Sequence, residues 1–425
     1  MLTKEENALL TQTGPGAPAG DLMRRYWQPA ALSEELPPGG PPVPIRLLSE
    51  DLVLFRDDQG RPGLLGIHCS HRGADLSYGR LEDGGIRCIY HGWLYDISGR
   101  CLEQPGEPAG STFHERIRQP SYPCQERGGV IFTYMGPGEP PLLPNYEFLN
   151  APAQQTLIYK YHQDCNYLQG NEGNLDPVHN NLLHHPNVNL AHVKQADNFV
   201  KFRGGRGAVP AGQTLEIEVE DFGIALCDIT ELDDDQKNIR TYDFVMPNLT
   251  CFPGRQGNGG YSVHWHVPID DHQHWKYSWL FNRTKTLEEI NADPAPELGP
   301  GYRILQNKEN RFMQDRSTMS WASYSGLSDF PSQDSCAIVG MGPVQDRTEE
   351  HLAASDKVIV GMRLQLMKGV RDVQQGKDPQ HVIRDPEKNS FPNLVVWRGV
   401  VPASFDWREV RRRVAEGKSV EGALT

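Results

Sequence analysis

The chain has 425 residues, more than one hydrophobic core usually serves and enough for two domains. Its composition, 38% hydrophobic and 23% charged, is that of a soluble protein, and no apolar run approaches the ~20 residues a membrane-spanning helix needs. A formal net charge of −13 argues against broad contact with nucleic acid, whose phosphates demand clustered Lys and Arg; the run Arg411-Arg412-Arg413 reads as the solvated face of a C-terminal helix.

The first residues, Met1-Leu2-Thr3-Lys4-Glu5-Glu6-Asn7, carry charge where a signal peptide would be apolar, so the cytoplasm is the expected compartment. Pro and Gly cluster at 36–42 and again at 136–144, and the second cluster is taken as a domain boundary, giving domains 1–145 and 146–425. Between the clusters lie short β-type runs, among them Leu52-Val53-Leu54-Phe55 and Gly129-Val130-Ile131-Phe132-Thr133-Tyr134, with no helical period. A small all-β domain is predicted there.

Eight cysteines in a chain of this length are not a disulfide framework, so their spacing points to metal or catalysis. Cys69-Ser70-His71-Arg72-Gly73 and Cys88-Ile89-Tyr90-His91-Gly92 each offer one thiolate and one imidazole on a Gly-flanked loop. Such a pair suits a [2Fe-2S] cluster with Cys69 and Cys88 on one iron and His71 and His91 on the other. Zinc knuckles pair like ligands in one segment, whereas here unlike ligands are paired. Pro105-Gly106 is expected to form a third, covering loop. The segment from Cys69 to Gly99 resembles the Rieske domain of ring-hydroxylating oxygenases, with Ser70 where that family usually has proline.

In the second half, Asp176 and His179 are three residues apart and predicted to share a helix face, while His184 must reach the same point from a distorted turn. Alternation follows at Leu215, Ile217 and Val219, at Tyr261, Val263, Trp265 and Val267, and at Trp275, Tyr277, Trp279 and Phe281, which predicts antiparallel strands with one buried face. Asp346 with Glu349 reads as a helix start, and Val358, Ile359, Met362 and Leu366 form an apolar helical stripe. The predicted fold class is α+β: a small all-β domain, then a large antiparallel sheet flanked by helices, of helix-grip type.

The stretch from Asn166 to His185, and the later Gln333-Asp334 and Met341-Gly342-Pro343 to His351-Leu352 elements, resemble the phthalate 4,5-dioxygenase-like branch of Rieske oxygenases over nearly the whole chain. Ile338-Val339-Gly340 depart from the glutamine-glutamate pair of that branch. The resemblance implies that His179, His184 and Asp334 bind a mononuclear Fe(II), with Asp329, Asp315 and Asp346 as competing carboxylates, and that His185 is a neighbour. It implies that Asp176 bridges a cluster histidine of the next subunit, His91 or else His71, to His179 for electron transfer, in a homotrimer or stacked hexamer. No G-x-G-x-x-G follows a strand, so flavin and NAD(P)H are expected on a separate flavin/[2Fe-2S] reductase. The implied reaction is hydroxylation or O-demethylation of an aromatic acid or lignin-type aryl ether. Arg240 is the candidate anchor for a substrate carboxylate, with Arg203 and Arg206 behind it; Asp228-Ile229-Thr230 stands where phthalate-type members would have an arginine. The alternatives are a Rieske electron carrier without oxygenase activity, and a zinc hydrolase using His179, His184 and Asp334.

Overall fold

The structure is a computed structural model that describes residues 1–181, 183–184, 213–420 and 423, apart from 234, 255, 293 and 321. Two helices come first, α1 (Lys4–Thr11) and α2 (Pro18–Met23), followed by eleven short strands from β1 (Trp27–Leu32) to β11 (Val130–Tyr134). These form three small antiparallel sheets. The predicted β runs fall in strands Glu50–Arg56 and Val130–Tyr134. Val53, Phe55, Leu65, Leu76, Ile86 and Tyr95 form a compact core that encloses Cys69 and Cys88.

The second half is built on one eight-stranded antiparallel sheet. Its strands are β12 (Thr156–Gln163), β13 (Gln213–Val219), β14 (Gly223–Asp233), β15 (Gln236–Val245), β16 (Leu249–Phe252), β17 (Gly260–Pro268) and β18 (His274–Asn282), in the order β12-β18-β17-β16-β15-β14-β13. After a two-stranded ribbon, β19 (Leu298–Gly299) and β20 (Arg303–Ile304), the strand β21 (Arg398–Pro402) joins the sheet beside β15. Helices α3 (Tyr167–Asn174), α4 (Phe330–Gly340) and α5 (Lys357–Gln374) accompany the sheet, and α6 (Trp407–Ala415) closes the chain. Among the described residues no helix is long and apolar enough to cross a membrane.

The alternation predicted in β17 and β18 fixes the two faces of the sheet. Trp265 and Trp279 point to one side and pack, tilted or edge-to-face, against Phe132, Tyr146 and Phe148, which ties the sheet to the N-terminal half. The polar set does not face solvent as a one-faced sheet would: Ser262, His266, His274, Lys276 and Ser278 are all buried. α3 covers this second face, because Gly170 brings the helix so close to β17 that a Cβ there would lie 2.2 Å from His266 Nδ1. Val219, expected inside, is exposed.

Two helix expectations need correction. α3 ends at Asn174, since Pro177 disfavours helical backbone at Asp176, so Asp176 and His179 do not share a helix. The Asp346–Glu349 pair starts none either: Asp346 accepts hydrogen bonds from the Thr348 backbone N–H and hydroxyl in a local turn, and α5 begins at Lys357. This turn keeps Arg347 fully buried, where its guanidinium grips Glu172 of α3 through Nη2–Oε2 at 2.6 Å. The apolar stripe of α5 is buried as predicted.

Candidate cluster and metal centres

Cys69–Gly73 and Cys88–Trp93 are matching loops. In each, the cysteine carbonyl accepts from a glycine N–H (Gly73 to Cys69, 2.8 Å; Gly92 to Cys88, 2.9 Å) and the cysteine N–H bonds back to the loop end. Gly73 and Gly92 have φ of +77° and +75°, conformations a side chain would strain. Both cysteines are buried, and the Cys69 Sγ lies 3.2 Å from the Tyr95 hydroxyl. His71 stacks on Trp93 at 4.4 Å and meets the edge of His91 at 4.4 Å. The His71 Nδ1 is buried with no hydrogen-bond partner, the condition of an imidazole that awaits a metal. Pro105 packs over the second loop, where a Cβ on Gly92 would meet its Cγ at 3.0 Å. These residues fit a two-iron cluster. Ser70, in place of proline, hydrogen-bonds through its backbone N–H and hydroxyl to Gln119 Oε1 at 2.8 and 2.7 Å, which ties the first loop down by other means.

The second centre draws on two segments. His179 opens a 3-10 turn (His179–Asn181), and a single turn closed by Leu183 N–H to the His179 carbonyl at 2.8 Å swings His184 round to face it. Asp334 is the fifth residue of α4, whose start is fixed by Pro331 and by the Asp329 carboxylate accepting from Ser332 N–H at 2.9 Å. Asp329 is thereby occupied as a cap, and Asp315, like Asp346, accepts from a serine or threonine two residues on. His179, His184 and Asp334 form the one group of His, Cys, Asp and Glu side chains among the described residues whose ligand atoms lie within 4.8 Å of one another.

The surroundings aim both imidazoles. His184 Nδ1 bonds to the Gln333 side-chain oxygen at 2.6 Å and its ring stacks on Phe330 at 4.1 Å, which leaves Nε2 to point at Asp334 Oδ1, 3.0 Å away. His179 presents Nδ1 to Asp176 Oδ2 at 3.6 Å and Nε2 to Asp334 Oδ1 at 3.7 Å. Burial raises the Asp334 carboxyl, but the bond from His184 and the Lys276 charge, with Nζ at 4.0 Å, outweigh it and hold the group well below the usual carboxylate range. Burial lowers the His179 imidazole, and Asp176 and Asp334 more than reverse that. Two imidazoles and a carboxylate with outer nitrogens held by side chains are the donor set of a non-haem iron site with open positions.

Gln333, Lys276 and His264 were not singled out in the sequence as site residues. The signal available was the His264/His266 alternation on β17, which places a row of imidazoles on the face that looks onto α3. Arg240 stands on the same face, but its guanidinium is engaged by buried Asp228, its register partner on β14, with Nε–Oδ2 at 2.8 Å. Arg398, its register partner on β21, has no carboxylate partner among the described residues. His185, Arg203 and Arg206 lie outside the described residues.

Residues 26–123 match the Rieske [2Fe-2S] domain and residues 133–424 match the LigXa C-terminal domain-like family. The chain belongs to the Rieske oxygenases. It is 33% identical to the phthalate 4,5-dioxygenase oxygenase subunit of Pseudomonas putida, over 97% of this chain and 95% of that one. It is 32% identical to the 5,5'-dehydrodivanillate O-demethylase oxygenase subunit of Sphingobium sp. (strain NBRC 103272 / SYK-6), over 96% and 90%. A solved structure of dicamba monooxygenase bound to dicamba shares the fold, with a TM-score of 0.57 at 18% identity over 83% of this chain and 99% of that chain. As a Rieske oxygenase the chain is a terminal oxygenase whose cofactors are a [2Fe-2S] cluster and a mononuclear iron.

Proposed function

We propose that the cluster is bound by Cys69, His71, Cys88 and His91 of domain 1–145, that the mononuclear Fe(II) is bound by His179, His184 and Asp334 of domain 146–425, and that the enzyme hydroxylates or O-demethylates an aromatic substrate. The observation that carries this reading is the convergence of two imidazoles and one carboxylate, each steered by a neighbour, in a chain that also builds the paired Cys/His loops. Bound there, the cluster supplies electrons singly and the iron supplies open positions for O2 and substrate. The protein's part is orientation: Gln333 holds His184, Asp176 holds His179, and His184 together with Lys276 keeps Asp334 ionised. Electrons come from a separate protein, here proposed as a flavin/[2Fe-2S] reductase in the cytoplasm.

Asp176 is proposed to receive the electron from His91 of a neighbouring subunit and pass it to His179 within a trimer or a stacked hexamer. Support comes from the cluster end, where Ile89 and Tyr90 are 61% and 57% exposed beside His91, an apolar rim suited to a protein partner. An aromatic acid or a lignin-type aryl ether is the proposed substrate. The carboxylate of an acid would meet Arg398 more readily than Arg240, whose charge Asp228 already offsets. The test is reductase-coupled NADH and O2 consumption by anaerobically reconstituted enzyme over a panel of aromatic acids and methoxyarenes. Oxidised or demethylated product in proportion to O2 is expected; uptake indifferent to added Fe(II) and to every aromatic would overturn the reading.

A further inference from the structure

Two buried histidines, a half-buried third and one amide form a chain across the face of the sheet that looks onto the proposed iron residues. His274 Nδ1 lies 2.7 Å from the Cys165 carbonyl, His274 Nε2 2.9 Å from His266 Nδ1, His266 Nε2 2.6 Å from Asn174 Nδ2, and Asn174 Oδ1 3.0 Å from His264 Nδ1. The Cys165 carbonyl sets the direction. It can only accept, so His274 carries its proton on Nδ1, and burial, which pushes this imidazole down to about 3, keeps its Nε2 bare. His266 must then donate from Nδ1 and accept the Asn174 N–H at Nε2. The Asn174 oxygen is left to accept from His264 Nδ1. Reversing the chain by turning the amide would place a bare His274 Nδ1 against the carbonyl oxygen or demand a buried cation.

Every proton is therefore assigned, and His264 Nε2 remains a lone pair with no donor among the described residues. His264 is half-buried, its ring edge-on to Phe252 at 4.5 Å. Its register neighbours Thr250 and Ser278 are fully buried with hydroxyls that have no partner among the described residues, so neither satisfies it. One strand over, Lys276 reaches to within 4.0 Å of Asp334.

We infer that His264 is a specificity-determining residue whose Nε2 accepts a hydrogen bond from a substrate hydroxyl, so that the enzyme selects phenolic aromatics; this rests on the oxygenase reading above. A carboxylate or ether oxygen would set lone pair against lone pair, whereas a phenol supplies the missing proton beside the apolar face of Phe252.

The test compares three ligands on anaerobic, iron-replete holoenzyme by calorimetry: 4-hydroxy-3-methoxybenzoate, its methyl ether 3,4-dimethoxybenzoate, and 3-methoxybenzoate, which lacks the hydroxyl without added bulk. The phenol is expected to bind about tenfold more tightly than either analogue, the worth of one hydrogen bond to an acceptor otherwise left unmet. In His264→Phe the three should fall within about twofold of one another while iron content is retained. Neutron diffraction from holoenzyme crystals should show deuterium on Nδ1 and none on Nε2 of His264, a result that stands even if the variant fails to fold. Equal binding of the three by the wild type, binding of none, a preference that survives His264→Phe, or deuterium on Nε2 overturns the inference. Such failure in an enzyme that holds its third iron leaves the oxygenase reading intact; loss of that iron from the wild type would sink both.

Discussion

Gln333 precedes the proposed iron ligand Asp334 in sequence yet acts on His184, 149 residues away along the chain, by accepting its Nδ1 proton. It is itself held by a bond from its Nε2 to the Leu327 carbonyl at 3.0 Å, so the imidazole is fixed through two linked contacts. Gln333→Ala should weaken the mononuclear site by about 10- to 100-fold, the usual cost of losing a group that orients a metal-bound histidine. Chelator competition reads this directly, and the visible spectrum of the cluster should not change. At this scale the paired Cys/His loops and the approach of His179 to His184 were legible, because candidate ligand types at fixed spacing leave a local mark. Gln333 was not, since the contact that gives it a role spans the chain.

Among the elements, α3 decides where the proposed iron residues sit. It is pressed into β17 at Gly170, against α4 at Gly173, and held from behind by Glu172, which receives Arg347 and also Arg363 of α5 with Nε–Oε1 at 2.7 Å. Gly170→Ala would drive a methyl into His266, and overpacking of this kind costs roughly 1–3 kcal/mol. A lowered thermal midpoint together with partial loss of the mononuclear iron is the expected outcome, while a midpoint equal to wild type would show that α3 can shift. The phase of β17 and β18 was legible from period-2 alternation, and so was the apolar stripe of α5. What covers the second face of the sheet was not, because alternation separates two faces without saying that a helix buries the polar one. The misplaced helix start at Asp346 has a related cause: its carboxylate caps a turn, and burial of Arg347 against Glu172, a long-range demand, sets the backbone there.

For the molecule as a whole, acid is the stress that the buried histidines predict. Burial pushes His381, bonded to the Tyr146 hydroxyl at 2.7 Å, down to about 4, and His266 well below its ordinary value. Imidazoles held neutral in the fold but titrating near 6.5 when unfolded contribute stability that is complete above about pH 6.5 and is lost as pH falls toward the folded values. His381 alone accounts for on the order of 3 kcal/mol across that window. The thermal midpoint of the holoenzyme should drop steadily between about pH 6.5 and 4, and a flat profile there would mean that these histidines are protonated in the fold. The account as a whole stands on two separate metal centres in one chain. Iron, zinc and acid-labile sulfide per chain, measured on anaerobically purified wild type, His179→Ala and Asp334→Ala, test it most directly. About three irons and two sulfides are predicted for the wild type, and about two irons with unchanged sulfide for both variants. Iron that never exceeds the cluster, zinc in its place, or variants identical to wild type would contradict it.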